Sequence, residues 1–303
     1  YQNAADAGST SGNGMYNNET ADAFGAITVM GYADAEFYHI IARHNRVRGG
    51  DAAVHAGGGF GGAIMAEGLP GVDTDGDGQD ESVTLKISGC ELTDNLSEGA
   101  NGANGGYGAG GAISTIHSTV IMGHCKILRN RAQGGNGSNQ GPAGGGGVHF
   151  HNIFYGTPTA YIGNSLIAHN IADAGSGNIV GGGGGGVWLQ GIAASLIHNT
   201  IANNCLDNSL QGSAIIVLSY GVLTGPKPAY LNYNIIANHP QTCDLFSGAL
   251  FVHDNNTAYL NRNLFFNNKA NTFIFNNGVI HGLGTSVYAL SLIHISEPTR
   301  LLS

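Results

Sequence analysis

The sequence predicts an all-β fold, a parallel β-helix solenoid of about seven coils, because two motifs recur in step along the chain. In the first, an apolar residue is followed by two variable residues and then by Asn, as in Ile127-Leu128-Arg129-Asn130. In the second, two small residues precede an apolar one, as in Gly146-Gly147-Val148. The seven copies of the first motif are 50, 35, 40, 34, 35 and 29 residues apart, and those of the second 49, 35, 39, 28, 35 and 29. Paired periodicity of this kind is typical of repeat proteins.

Between the motifs, apolar and polar residues alternate, which indicates strands. Val148-His149-Phe150-His151 is one such stretch, and Ala229-Tyr230-Leu231-Asn232 is another. A period of two places successive side chains on opposite faces of a sheet. The sequence has no stretches with a helical period, so helical solenoids are excluded. A β-propeller is the alternative, but the long Gly- and Asn-rich linkers suit solenoid turns better than tight hairpins.

The Asn column has a physical explanation in a β-helix. Equivalent residues of successive coils stack about 4.8 Å apart, so their amides can pass hydrogen bonds from coil to coil. Asn also tolerates the left-handed conformation that a sharp corner requires. Gly runs such as 181–186 permit positive φ where a corner leaves no room for a Cβ atom. We therefore expect Asn95, Asn130, Asn170 and Asn204 in one corner stack, and Ile113, Val148 and Val187 stacked inside.

Composition limits the partners of this chain. Gly (51) and Asn (31) make up about 27% of the 303 residues, and only 10% are charged, against roughly 25% in average domains. A net charge of −9 without a basic cluster argues against a nucleic-acid partner. No run approaches about 18 apolar residues, so no transmembrane segment is predicted.

Composition also divides the chain into three parts. Residues 1–26 are rich in Gly, Asn and Ser and are predicted to form a flexible lead-in. Residues 27–289 form the predicted β-helix, with an inserted acidic loop at 69–82. Residues 290–303 contain neither Gly nor Asn and resemble translated sequencing-adapter sequence at the end of a metagenomic reading frame, so a non-native tail is expected. Because the chain starts at Tyr1 rather than at Met, we expect an internal fragment of a longer protein.

The acidic loop carries the strongest chemical motif. Carboxylates at its first, third and fifth positions, followed by Gly, match the spacing of a Ca²⁺ loop. The twelfth position is Thr84 instead of the usual bidentate Glu, a role that Asp80 or Glu81 can take. A solvated acidic loop is the alternative, and a bound ion is expected to be structural. The predicted ligands are Asp73, Asp75, Asp77, Gln79, Asp80 and Glu81.

One strand face is a candidate ligand-binding surface. Alignment on the second motif stacks His149 on Trp188 and His151 on Gln190, and their apolar neighbours should face the core. These four residues are therefore expected together on the outer surface, where the only Trp can serve as a sugar platform. Ordinary strand decoration or cover for a loop is the alternative. A metal site at the two His would need a third ligand that the sequence does not place.

The four cysteines are too few for a disulfide scaffold. Cys90 and Cys125 occupy equivalent positions in neighbouring coils, where later coils have Ser165, Asn199 and Asn234. A stack of buried thiols is favoured there over a disulfide, because in-register parallel geometry suits a disulfide poorly. Neither Cys205 nor Cys243 has a predicted role.

The two motifs together resemble the repeats of bacterial polymorphic outer-membrane proteins and of secreted right-handed β-helix repeat proteins. The segment from Asn234 to Asp244 is similar to the closing coils of the choice-of-anchor Q type. The resemblance covers about residues 27–289, although the usual C-terminal closing segment is missing. It implies a right-handed helix, secretion or surface display, and adhesive or glycan-associated roles.

The predicted function is that of an extracellular or cell-surface protein acting as an adhesin, a glycan-binding module or a structural spacer. A polysaccharide lyase or glycosidase on the same fold is the alternative, since this fold hosts both classes. An autotransporter passenger is a third reading. No catalytic residue is predicted, because no two convergent acids can be placed on the strands.

Overall fold

The fold is built entirely from parallel strands. The computed structural model describes residues 4–6, 22–31, 33–68, 82–152, 156–178, 182–207, 214–219, 225–239, 249–253, 255–268, 273–276, 278–282 and 287–290. Within these ranges every regular element is a β-strand, and the strands form five parallel sheets. The predicted all-β class is therefore confirmed, and the stacked parallel sheets are consistent with a β-helix solenoid.

Three sheets of eight strands each enclose the main core, and the chain visits them in turn. The first wall sheet contains Ile27–Gly31, Ile64–Gly68, Ile113–Ile116, Val148–His151, Val187–Gln190, Ile215–Leu218, Leu250–His253 and Phe273–Asn276. The second wall sheet contains Ala35–Tyr38, Val83–Ser88, Ser118–Gly123, Thr159–Gly163, Ala193–Ile197, Pro228–Asn232, Thr257–Asn261 and Val279–His281. The third wall sheet contains Ile41–Arg43, Glu91–Thr93, Lys126–Leu128, Leu166–Ala168, Thr200–Ala202, Ile235–Ala237, Asn263–Phe266 and Val287–Leu290.

Two smaller sheets lie between the third wall sheet and the next strand of the first. The outer sheet contains Ala4–Asp6, Arg46–Arg48, Leu96–Glu98, Arg131–Gln133, Ile171–Asp173 and Cys205–Asp207. The glycine sheet contains Ala23–Phe24, Gly59–Phe60, Gly108–Ala109, Ala143–Gly144 and Gly182–Gly183. A full circuit of the chain therefore passes the outer, glycine, first, second and third sheets in that order.

The core is a set of apolar columns, as the alternation predicts. Ile113, Val148 and Val187 are register partners in the first wall sheet, and all three are fully buried. They pack against inward residues of the second and third wall sheets such as Met122 and Ile127. The expected stack of these three residues in the core is confirmed.

The Asn ladder is confirmed as well. The amide Nδ2 of Asn95 donates to Oδ1 of Asn130 at 2.9 Å, and Nδ2 of Asn130 donates to Oδ1 of Asn170 at 3.0 Å. Asn170 continues to Asn204 at 2.9 Å, and Asn45 precedes the series. Each Oδ1 also accepts a backbone N–H of the preceding Asn. The side chains thus pair the backbone where the chain turns out of the third wall sheet.

The left-handed residue at this corner is not the ladder Asn. It is the residue before it, for example Asp94 (φ 56°), Arg129 (φ 53°) and His169 (φ 58°). The expectation that Asn adopts this conformation itself is wrong at these coils. The buried Asn is needed for its amide, and the left-handed position is half-buried at Asp94 and exposed at Arg129 and His169, so it accepts polar residues of several kinds.

Candidate functional site

The predicted calcium ligands lie outside the described residues. Asp73, Asp75, Asp77, Gln79, Asp80 and Glu81 all fall within 69–81. Their role therefore stays a prediction. In the described ranges, no three His, Cys, Asp or Glu side chains form a group that could hold a metal ion.

The four predicted ligand-binding residues do lie together. His149 pairs in register with Trp188, and His151 pairs with Gln190. The ring centroids of His149 and Trp188 are 5.6 Å apart, and those of His149 and His151 are 5.4 Å apart. The indole N–H of Trp188 donates to Oε1 of Gln190 at 3.1 Å. Sequence reasoning grouped these residues correctly.

Their expected place on the outer surface is wrong for the two central rings. His149 is 0% exposed and Trp188 is 8% exposed, although both point away from the main core. The glycine sheet covers this side of the first wall sheet. A Cβ atom at Gly144 would collide with the Tyr107 hydroxyl and would lie 3.1 Å from both the His149 and the Trp188 ring. The missing side chain at Gly144 lets the backbone lie directly over these rings.

Hydrogen bonds and burial make His149 a structural residue. Its Nε2 lies 2.9 Å from the Tyr107 hydroxyl, and its Nδ1 lies 3.3 Å from the Ser114 hydroxyl. Burial lowers the pKa of His149 well below its ordinary value, and the nearby His151 lowers it further. Burial also lowers the pKa of His151 to about 4. Both rings are therefore neutral at pH 7, and Trp188 is covered by protein over all but 8% of its surface.

Several charged residues form ion pairs between neighbouring coils. Arg129 binds Asp94 with Nε and Oδ1 2.8 Å apart, and Arg131 pairs with Asp173. The Arg129 guanidinium holds the pKa of Asp94 below its usual range. These side chains bind each other across the stack, which agrees with a structural role.

Two acidic groups were not singled out from the sequence. Asp22 accepts a hydrogen bond from the Gly58 backbone N–H at 2.6 Å, and burial raises its pKa. Burial also raises the pKa of Glu67, and the charge of Asp22 adds to that shift. Both side chains are half-buried; Asp22 precedes the first strand of the glycine sheet, and Glu67 lies in the second strand of the first wall sheet. A raised pKa is the property expected of a proton donor, so among the described residues this pair is the best candidate for acid catalysis.

The exposed aromatic side chains lie on a different face, which sequence reasoning missed. Tyr230 and Tyr259 are register partners on the second wall sheet and are 43% and 40% exposed. Their rings stack with centroids 5.1 Å apart and planes 12° apart. His281 stacks on Tyr259 at 5.0 Å. The alternation in Ala229-Tyr230-Leu231 was the available signal, because it points Tyr230 away from the buried Leu231.

The same column of register partners continues toward the start of the chain. One of its positions, which we call the missing rung, carries Ser195 instead of an aromatic residue. Tyr161 pairs in register with Ser195, and Ser195 pairs with Tyr230. Tyr161 is 38% exposed, and its ring lies against Gly163 two residues further along the strand. We call Tyr161, Ser195, Tyr230, Tyr259 and His281 the aromatic column.

A second aromatic stack follows at the next corner. The rings of His198 and Tyr233 stack with centroids 5.0 Å apart, and the Arg262 guanidinium lies 5.5 Å from the Tyr233 ring. Arg262 also donates to the Tyr233 hydroxyl at 3.2 Å. This stack widens the band of exposed aromatic surface beside the aromatic column.

The cysteines fall into two groups. Cys90 and Cys125 are free and buried, which confirms the predicted pair of thiols. Burial raises the pKa of Cys125 to about 11. The same column continues as an amide ladder in which Asn199 donates to Asn234 at 3.1 Å. Cys205, in contrast, is disulfide-bonded, and its partner lies outside the described residues.

Comparison with protein-family models, with curated proteins and with solved structures returned no match. In the ranges that the structure describes, no helix is long and apolar enough to cross a membrane. The candidate surfaces therefore rest on their own geometry: a covered cluster on the first wall sheet and an exposed aromatic column on the second.

Proposed function

We propose that this chain is a right-handed parallel β-helix of about seven coils that acts as an extracellular adhesive, glycan-binding or spacer module. The observation that carries the proposal is the aromatic column, a row of exposed rings on a rigid sheet. Large exposed apolar patches with polar neighbours are typical of interaction surfaces. Aromatic faces pack on the apolar faces of sugars, and tyrosine hydroxyls and amides bind sugar hydroxyls.

The Asn ladder supports the spacer part of the proposal. Buried amides connect successive coils from Asn45 to Asn204 without a break. A solenoid in which every coil is hydrogen-bonded to both neighbours resists bending and holds its surface at a fixed distance from its ends. Such a scaffold presents a row of binding groups in a constant register.

An adhesion assay tests the proposal. Beads coated with the protein are expected to bind immobilised glycans or cell surfaces, and Tyr230→Ser with Tyr259→Ser should reduce binding at least tenfold. The matched control is Tyr38→Ser, which removes an exposed tyrosine of the same sheet outside the aromatic column. Equal binding by the double variant, or equal loss in the control, would contradict the assignment of the binding surface.

The proposed extracellular location is supported by the disulfide of Cys205. Disulfides persist in oxidising compartments and are rare in reducing ones. We propose Cys243 as its partner, because it is the remaining cysteine of the sequence once the free Cys90 and Cys125 are set aside. Mass spectrometry of a non-reduced digest should find Cys205 in a crosslinked peptide, and a free thiol at Cys205 would remove this support.

Structural Ca²⁺ binding at Asp73, Asp75 and Asp77 is part of the proposal and rests on their spacing. Calorimetry should detect one Ca²⁺ site in the wild-type protein and none in Asp75→Ala. The matched control is Asp207→Ala, an exposed acidic residue of the outer sheet, away from the loop. No heat at millimolar Ca²⁺ would contradict it.

The raised pKa values of Asp22 and Glu67 favour a second candidate, a polysaccharide-active enzyme. Reducing-end and unsaturated-product assays over pectin, alginate and uncharged glycans, with added Ca²⁺, test it. Turnover that disappears in Glu67→Gln and persists in Glu36→Gln would establish the enzyme. Absence of turnover on every substrate would contradict the enzyme hypothesis and favour the binding module.

A further inference from the structure

We propose that the missing rung of the aromatic column is a subsite for one sugar ring of a neutral glycan, which enters over Ser195 between Tyr161 and Tyr230. The inference deepens the proposed function and rests on it. It assigns the ligand class and the contact point, neither of which follows from exposure alone.

The register defines the space. Tyr161, Ser195 and Tyr230 are consecutive partners in three neighbouring strands. Neighbouring strands lie about 4.8 Å apart, so the backbones that carry the two tyrosines are about 9.6 Å apart. The half-buried Ser195 is the only side chain of the column between them. One ring of ordinary thickness fills such an interval.

The rest of the column shows how rings occupy it. Tyr259 has a ring on each side, Tyr230 at 5.1 Å and His281 at 5.0 Å, with planes within 14° of parallel. In this column, adjacent rungs therefore stack at about one strand spacing. Among the described residues, Tyr230 has such a partner on its Tyr259 side only, because Ser195 supplies no ring on the other. A ring placed over Ser195 continues the same stack.

Tyr161 is held where it can form the second wall of the subsite. A Cβ atom at Gly163 would overlap the Tyr161 ring, so the absence of a side chain there lets the ring lie along its own strand. Tyr161 is still 38% exposed in this position. The space over Ser195 is thus bounded by aromatic groups on both sides.

The charge around the subsite indicates a neutral ligand. The flanking outward residues are Thr159 and Gly163 on one strand and Pro228 and Asn232 on another, and none of them is charged. Within the described part of the second wall sheet, the ion pair of Glu36 with Lys86 lies at the opposite end of the same column, at 2.7 Å. Lys227, just before Pro228, and Arg262, at the next corner, lie outside the column, so the strand positions that bound the subsite offer no cation to the carboxylates of an acidic glycan. The hydroxyl of Ser195 and the amide of Asn232 suit sugar hydroxyls instead.

A filled rung provides the sharpest test. Ser195→Tyr places a ring in the subsite and should keep the sheet intact, while Ser88→Tyr adds the same side chain to the same sheet away from the column. Calorimetric titration with neutral hexasaccharides of glucose, mannose and xylose, and with hexagalacturonate, measures binding by each protein.

The proposal expects the wild-type protein to bind at least one neutral hexasaccharide more tightly than hexagalacturonate. Ser195→Tyr should weaken that binding at least tenfold, Tyr230→Ala should weaken it similarly, and Ser88→Tyr should stay within twofold of wild type. Thermal unfolding of Ser195→Tyr at or above the wild-type midpoint shows that loss of binding is not loss of fold.

Three results would overturn it. Binding by Ser195→Tyr with wild-type affinity would contradict a subsite over Ser195. Tighter binding of hexagalacturonate than of every neutral hexasaccharide would contradict a neutral ligand. A protein that binds none of the sugars would refute the proposal even if coated beads still adhere. The bead assay does not involve Ser195, so wild-type adhesion that is lost in Tyr230→Ser with Tyr259→Ser would support the proposed function even where the subsite fails.

Discussion

The outward faces of the first and second wall sheets have the same sequence pattern but differ in how far they are exposed to solvent. Each carries aromatic residues that alternate with core residues along its strands, and each stacks these residues in register. Trp188 on the first sheet is 8% exposed, whereas Tyr230 on the second is 43% exposed. The glycine sheet lies over the first face, and within the described residues no further sheet lies over the second.

The difference shows what strand alternation can and cannot predict. A period of two assigns each side chain to the inner or the outer side of one sheet. It carries no information about a second layer on the outer side. His149 was correctly assigned away from the main core, yet it belongs to a second, smaller buried cluster with Tyr107 and Trp188.

The largest expected effect compares two truncations. Trp188→Ala removes a buried ring and leaves a cavity, so we expect a loss of about 3–5 kcal/mol in the free energy of unfolding. Tyr230→Ala removes an exposed ring and should cost less than about 1 kcal/mol, because solvent already reaches that ring. Denaturant unfolding measures both. Similar losses would mean that the two faces do not differ in cover.

The sequence predicted those parts of the fold in which a particular type of side chain recurs at equivalent positions of successive coils. The Asn ladder was predictable because a buried amide recurs at each corner, as at Asn130 and Asn170. The free thiols of Cys90 and Cys125 followed from their equivalent positions. The glycine sheet was not predictable, because its two-residue strands pack backbone on backbone. Its only signal is Gly, which also marks turns.

The next prediction tests that layer directly. Gly144→Ala would push a methyl group against the Tyr107 hydroxyl and disturb its hydrogen bond to His149. Overpacking of this kind should lower the free energy of unfolding by about 2–3 kcal/mol. The control is Gly123→Ala on the second wall sheet, where the nearest atom to a new Cβ would be 3.8 Å away. A Gly144 variant as stable as the control would show that the glycine sheet does not pack on these rings.

The covered face should also respond to pH. The pKa of His151 is about 4 in the folded chain and about 6.5 in an unfolded one. A depressed folded pKa means that the unfolded chain binds the proton first, so stability is fully present above pH 6.5 and is lost as the pH falls toward 4. Between pH 6.5 and 5, His151→Gln should reduce that loss by about 1–2 kcal/mol. Gly123→Ala should keep the wild-type slope, and an unchanged slope in His151→Gln would contradict the burial of this ring.

The smallest expected effect belongs to the open face. Ser195→Tyr should complete the aromatic column from Tyr161 to Tyr259, because the strand spacing places the new ring at stacking distance from Tyr230. An aromatic pair contributes about 0.5–1.5 kcal/mol beyond burial, and an exposed pair belongs at the low end, since solvent competes and the new side chain loses rotamer freedom. We therefore expect a gain of about 0.5 kcal/mol in the free energy of unfolding and a midpoint slightly above wild type. Ser88→Tyr adds the same residue beside one tyrosine, its register partner Tyr38, instead of between two, and should give a smaller gain. A loss of stability in Ser195→Tyr would mean that Tyr161 and Tyr230 do not leave room for a ring, and the open face would then differ from the covered one only in exposure.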